Sequence, residues 1–308
     1  MKENNDNSEW QKFVDATTEH GTPVSSVLAD IRSRLAPKYG DGEARAMARI
    51  IFENIRGWSP VDLAIHNADE IGAPTLERID NVVKRLLADE PIQQIFGNAI
   101  FYGMKFRITP DVLIPRSETA ELVDIIVKEN QRKDLRVLDC GTGSGCIAIA
   151  LQRNLNFPEV TAIDISDAAL AVARENATAL KAPVKFQKAD ILQLPNGVTG
   201  APYDIIVSNP PYIADSEKAS MARNVLDFEP ATALFVPDSD PLKFYHPILK
   251  AAAAGMLSPG GKLYFEINPL FADRLAALAR KSGFSDVQII RDTEGKNRFM
   301  SCVSSQAS

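Results

Sequence analysis

From Arg136 to Val303 short apolar runs alternate with longer segments of helical spacing, and this alternation constrains the fold of the 308-residue chain more than any other feature. Arg136–Cys140, Val160–Ile165, Val184–Gln187, Tyr203–Ser208 and Lys262–Ile267 read as strands. Ser144–Arg153, Ala168–Leu180, Pro247–Met256 and Phe271–Ser282 read as helices. Two more strands, Asp286–Ile290 and Arg298–Val303, close the chain. Continuous apolar strands joined by crossover helices are buried on both faces and run parallel. The expectation is therefore an α/β, Rossmann-like fold with a mostly parallel sheet. The crowding of strands at the end points to one antiparallel strand closing an edge.

Upstream the period changes. From Trp10 to about Ala88 apolar residues recur at three- and four-residue steps, as in Val27, Ile31 and Leu35, then Ala46, Ile50 and Ile51, then Ile79, Val82, Val83, Leu86 and Leu87. Pro23, Gly40, Gly57, Pro60 and Pro74 divide this stretch into roughly four or five short helices. Pro91–Pro115 is rich in β-formers (Ile92, Ile95, Phe96, Ile100, Phe101, Tyr102, Phe106 and Ile108), with turn residues at Gly97-Asn98 and Gly103. That composition predicts a hairpin bridging two domains. Ser117–Glu129 returns to helical spacing, with Leu122, Val123, Ile126 and Val127 on one face and Ser117 as cap. The expected organisation is a small helical domain over residues 1–88, a linker with the hairpin over 89–115, and the α/β domain over 116–308.

The net charge of −6 disfavours a dedicated nucleic-acid binder, because an acidic chain gains nothing overall from neutralising phosphates. Three cysteines make no disulfide framework, and Cys140 and Cys146, which flank a glycine-rich turn, read as small packing residues. His20, His66 and His246 are scattered and show no metal-ligand spacing. Met1–Glu9 is polar, without the charged and apolar regions of a secretory signal, and no apolar run reaches membrane-spanning length. The expectation is a cytoplasmic protein, monomeric, with no membrane contact and no bound metal.

Chemistry concentrates where the expected strands end. Val137-Leu138-Asp139-Cys140 runs into Gly141-Thr142-Gly143-Ser144-Gly145, a strand-to-helix turn whose glycines admit a ligand close to the backbone. The Gly-x-Gly-x-Gly spacing differs from that of dinucleotide folds, and no Gly-Lys-Ser/Thr of a phosphate loop is present. Asp164 ends the next strand, where a carboxylate can accept both hydroxyls of a ribose; its alternative is a cap for the following helix. Asp190 follows the third strand and can accept an adenine amino group, with Ile191 against the ring. Three successive strand ends thus carry an adenosyl-shaped set, which points to S-adenosyl-L-methionine (SAM) rather than NAD.

The fourth strand leads into Asn209-Pro210-Pro211-Tyr212. An amide or aryl amine nitrogen is a poor nucleophile because its lone pair is delocalised. Two acceptors help it by gripping both N–H groups, and the Asn209 side-chain oxygen and the Pro210 carbonyl can do so. Pro210 and Pro211 fix the backbone, and Tyr212 can stack on the planar group. Positioning then supplies most of the rate, with no strong general base required.

Leu138–Gly145 together with Ser208–Ile213 resembles the class I amino-methyltransferases. The wider pattern is similar to the HemK/PrmC family of release-factor glutamine methyltransferases, through Glu90-Pro91-Ile92, Leu113-Ile114-Pro115-Arg116 with Glu118, Phe228-Glu229-Pro230 with Ala233-Leu234, Phe265-Glu266, and Asp292–Phe299. The resemblance implies a class I SAM-dependent methyltransferase fold with a small N-terminal helical domain for substrate recognition. It implies methylation of the N5 nitrogen of the Gly-Gly-Gln glutamine in peptide chain release factors. By position, Gly141, Thr142, Gly143, Ser144, Gly145, Asp164, Asp190, Ile191 and Asn209 would bind the cofactor, and Asn209, Pro210, Pro211 and Tyr212 the glutamine amide. Cys140 and the Phe265-Glu266-Ile267-Asn268 strand ending depart from the family pattern, and neither is expected to touch the chemistry. Arg116 and Glu229 read as a domain-interface ion pair. A ribosomal-protein glutamine methyltransferase, a nucleic-acid adenine N6-methyltransferase and a non-catalytic scaffold are the competing readings.

Overall fold

A computed structural model describes residues 21–196 and 198–305. They fall into two compact units that divide between Phe96 and Gly97. The opening of the helical pattern, Trp10–His20, and the polar start lie outside the described residues.

The first unit is helical. Helices Val24–Tyr39, Asp41–Arg56, Pro60–Ile65 and Ala73–Leu87 pack around one core, and a two-residue antiparallel bridge joins β1 (Thr22–Pro23) to β2 (Glu70–Ile71). Val27, Ile31 and Leu35 are buried as their spacing implies. In Asp41–Arg56 the core face is Ala44, Met47, Ala48, Ile51 and Phe52, and Ala46 is exposed. The larger Met47, Ile51 and Phe52 set the phase of that helix, and a one-carbon alanine has too little apolar area to oppose them. Ser59 and Asp62 form a reciprocal capping box at the start of Pro60–Ile65. Ile92–Phe96 is a short helix instead of the first strand of the expected hairpin. Ile92, Ile95 and Phe96 lie at helical spacing, and burying them against the helical core outweighs their β-propensity.

The second unit begins with the hairpin proper. β3 (Asn98–Phe101) and β4 (Met104–Arg107) pair antiparallel across a tight turn at Tyr102-Gly103. Phe101 and Phe106 meet edge to face, with centroids 5.9 Å apart, and enter the core of this unit.

Seven strands then form one sheet: β5 (Arg136–Cys140), β6 (Glu159–Asp164), β7 (Lys185–Lys188), β8 (Tyr203–Ser208), β11 (Leu257–Glu266), β12 (Phe284–Arg291) and β13 (Asn297–Ser304), in the order β12-β13-β11-β8-β5-β6-β7. Only β13 runs antiparallel to its neighbours. It lies between β11 and β12, so β12 forms the edge, which corrects the expectation of an antiparallel edge strand. The last two strands form a hairpin, and its return strand inserts beside β11. A further pair, β9 (Ile213–Ala214) and β10 (Phe235–Val236), is parallel and stands apart from the large sheet. One apolar cluster covers each face of the sheet, with Val137, Ile205 and Tyr264 on one side and Leu138, Ile206 and Phe265 on the other. No helix among the described residues is long and apolar enough to cross a membrane.

Strand order reverses between β5 and β8, the two central neighbours. In open α/β sheets ligands bind beyond the carboxyl ends of the strands at such a switch point. Cys140 and Ser208 are register partners there, and the glycine loop and Asn209 follow them directly.

Candidate active site

The turn after β5 is built from backbone hydrogen bonds. Gly141 and Thr142 N–H both donate to the Ile163 carbonyl at 2.9 Å, and Gly145 N–H donates to the Thr142 carbonyl at 2.8 Å. Asp164, at the end of β6, accepts the Gly143 N–H and the Ser166 N–H on its two oxygens, each at 2.9 Å. Each oxygen keeps a further lone pair for a hydroxyl. The cap of the helix Asp167–Ala179 is Ser166, whose hydroxyl accepts the Ala169 N–H, so Asp164 is not engaged as the cap. Asp190 caps the short turn Ile191–Gln193 by accepting the Leu192 N–H at 2.8 Å and the Gln193 side-chain N–H at 3.1 Å.

These groups surround a cavity of about 410 Å³, within the ~300–1,000 Å³ typical of small-molecule sites. Gly141, Thr142, Gly143, Ser144, Asp164, Asp190, Ile191, Asn209 and Pro211 all line it. Gly145 does not. A Cβ there would stand 3.1 Å from the Ala173 and Ile149 side chains, and its φ is +81°, so this glycine serves the close approach of two helices. Gly143 is the opposite case, for a Cβ there would project into open space.

An adenosyl group fits this cavity on three observations. The loop leaves room beside Gly143, Asp164 offers unused lone pairs, and Ile165 and Leu192 leave 61% and 41% of their surface exposed beside Asp164 and Ile191. Two large apolar side chains open to solvent at a cavity wall are the natural cover for a flat ring.

Asn209 also lines a second cavity of about 220 Å³, together with Pro210, Tyr212, Arg116, Ile213 and Glu266. The Asn-Pro-Pro-Tyr segment therefore forms a wall shared by two cavities. Its side chains are tightly held. Asn209 Nδ2 donates to Thr119 Oγ1 at 3.1 Å, Thr119 Oγ1 donates to Glu266 Oε2 at 2.6 Å, and the Tyr212 hydroxyl donates to Glu266 Oε1 at 2.9 Å. Burial, then the neighbouring Glu266 carboxylate, hold the Tyr212 phenol well above its ordinary range, so it acts as an O–H donor. Asn268 Nδ2 donates to the Tyr212 carbonyl at 3.1 Å. Glu266 and Asn268, in the strand ending expected to lie outside the chemistry, thus both contact Tyr212.

Three further expectations are settled locally. The N-cap of Ser117–Glu129 is Arg116, and the Ser117 hydroxyl turns to Glu118 at 2.9 Å instead of capping the helix. Glu229 is buried and accepts from Arg116 and from the Ile114 N–H, so this ion pair is internal to the second unit. Cys140 and Cys146 are buried, and burial pushes the Cys146 thiol up to about 12, which leaves both as packing residues.

Sequence reasoning missed Thr119, Ile165 and Leu192 on the first cavity, along with Phe235 and Phe244. Ile165 and Leu192 had a signal, since each is an apolar residue beside a ligand-shaped one. Thr119 had none, because its partners lie far along the chain.

Residues 131–256 match a family model described as a methyltransferase domain, and residues 26–97 match one described as the PrmC N-terminal domain. A solved methyltransferase from Pyrococcus furiosus, 21% identical, superposes with a TM-score of 0.51 over 73% of this chain and 99% of its own, which bears on the fold. The release factor glutamine methyltransferase of Bacteroides thetaiotaomicron is 45% identical over 90% of this chain and 99% of its own length. That of Flavobacterium psychrophilum is 40% identical over 86% of this chain and 94% of its own. With nearly the whole of such relatives matched at this identity, the chain belongs to the release factor glutamine methyltransferase family.

Proposed function

We propose that this chain methylates the side-chain amide nitrogen of a glutamine, the one in the Gly-Gly-Gln motif of peptide chain release factors, using SAM. The observation that carries the reading is the position of Asn209 in the wall common to a cofactor-sized cavity and a smaller one. In this reading the Gly141–Gly145 turn cradles the cofactor, Asp164 takes the ribose hydroxyls, and Asp190 with Ile191 takes the adenine. The cofactor supplies an electrophilic methyl on a sulfonium centre.

The chain's own part is to present the nitrogen. Asn209 Oδ1 and the Pro210 carbonyl accept the two amide N–H groups, and the prolines leave that carbonyl little freedom to turn. Tyr212, tethered at its hydroxyl, offers its ring to the flat amide. The helical domain of residues 1–88 serves to recognise the release factor.

Mass spectrometry of a release factor incubated with enzyme and cofactor tests the assignment, with a ribosomal protein and adenine-containing DNA in parallel. A single added methyl on the Gly-Gly-Gln glutamine is expected. Methyl found only on the ribosomal protein or the DNA would overturn it.

A further inference from the structure

We infer that Thr119 and Glu266 are positioning residues that set which end of the Asn209 carboxamide faces the substrate nitrogen. The inference rests on the glutamine reading above and concerns a choice the Asn-Pro-Pro-Tyr segment cannot make by itself. The two ends of a carboxamide are nearly the same size, and a half-turn exchanges acceptor for donor. Only the acceptor end helps a nitrogen that carries two N–H groups. The donor end would oppose it and would suit a carboxylate instead.

The structure supplies a latch against that half-turn. Glu266 is 1% exposed and Thr119 2% exposed, so water does not replace their partners. Burial raises the Glu266 carboxyl, while the hydrogen bonds from Thr119 and Tyr212 and the charge of Arg298 favour its ionised form. As a carboxylate it has only lone pairs to offer, so the Thr119 hydroxyl, 2.6 Å from Glu266 Oε2, gives it its single proton. With that proton committed, Thr119 presents only lone pairs to Asn209. Its neighbour at 3.1 Å must then be the amide nitrogen of Asn209 and not the oxygen. Asn209 Oδ1 is left on the other branch of the carboxamide, with no partner among the described residues. Tyr212 supplies the second donor to Glu266, at 2.9 Å, so one buried carboxylate directs both the gripping and the stacking residue.

The fold brings these groups together without help from sequence proximity. β8 and β11 are parallel neighbours with Ser208 paired to Phe265, so Asn209 and Glu266 leave the sheet side by side. Thr119 reaches them from the first turn of the helix Ser117–Glu129.

Steady-state methylation of a release factor, with cofactor affinity measured separately by calorimetry, tests this on Thr119→Val, Thr119→Ser and Glu266→Gln. The valine keeps the shape and removes the hydroxyl. It is expected to lower kcat by about 10²-fold, the scale of one lost preorganised group, with little change in cofactor affinity. The serine keeps the hydroxyl and should recover activity to within about threefold of wild type. Glu266→Gln, which can offer Thr119 a donor, should resemble the valine. A release factor with glutamate in place of the acceptor glutamine should compete about tenfold better against Thr119→Val than against wild type, because the freed amide can turn its donor end to a carboxylate. Wild-type transfer that Thr119→Val leaves unchanged, or a serine variant as slow as the valine, would overturn this inference alone. No transfer by the wild type would overturn the substrate reading and this inference with it.

Discussion

The proposed cofactor side and the proposed acceptor side of the site are held by different means. Around the glycine loop the partners are close in sequence: Gly143 and Asp164 lie 21 residues apart, and Ser166 and Asp164 two. Most of those bonds use backbone N–H groups that any residue could supply. Around Asn209 the bonds join side chains, across 90 residues to Thr119 and a further 147 from Thr119 to Glu266. A backbone cradle tolerates substitution except where a Cβ intrudes. A side-chain latch fails when one member is changed. Binding and transfer should therefore be separable by mutation.

The largest expected effect is on the acceptor side. Asn209→Ala should lower methyl transfer by about 10²-fold or more while leaving cofactor affinity nearly intact, since one preorganised acceptor is lost. Single-turnover kinetics with calorimetry would check it, and full activity would break the contrast. Asp164→Ala should do the reverse. Its carboxylate accepts two backbone N–H groups and has lone pairs to spare, so cofactor affinity should fall by roughly 10- to 100-fold, as for hydrogen bonds to a charged group. Turnover at saturating cofactor should change far less, and an unaltered dissociation constant would remove Asp164 from the ribose.

Smaller effects probe the cradle itself. Gly145→Ala places a methyl 3.1 Å from Ala173 at a φ of +81°, so denaturant unfolding should show a loss of about 1–3 kcal/mol. A Gly145→Ala protein as stable as the wild type would mean that neither the contact with Ala173 nor the left-handed backbone at this residue resists a side chain. Ser166→Ala removes only the N-cap of that helix and should cost about 1 kcal/mol in the same measurement. A loss larger than that of Gly145→Ala would reverse the ranking.

The same contrast explains what could be read in advance. β5 through β8, and the meeting of the residues at their ends on one cavity, are legible because each signal lies within one strand–turn–helix unit. Ile92–Phe96 misled because its residue types favour strands while its spacing suits a helix, and the neighbouring apolar core decided between them. The place of β13 inside the sheet depends on how a hairpin inserts, which no local pattern encodes. Glu266 was visible as a family-like residue, but its bonds to Thr119 and Tyr212 follow only from the register of β11 on β8.

The short parallel pair of Ile213–Ala214 with Phe235–Val236 has a consequence for how this architecture can diversify. It clamps both feet of the excursion between them, immediately after Tyr212, and Glu217 adds a second fastening through the Ala214 N–H and Asn268. Between the feet, Met221, Val225 and Ala233 line the smaller cavity and Pro230, Thr232 and Ala233 the larger, so the pair fixes the two ends of a segment that walls both. A change of length or sequence in that segment should therefore be felt in both cavities at once.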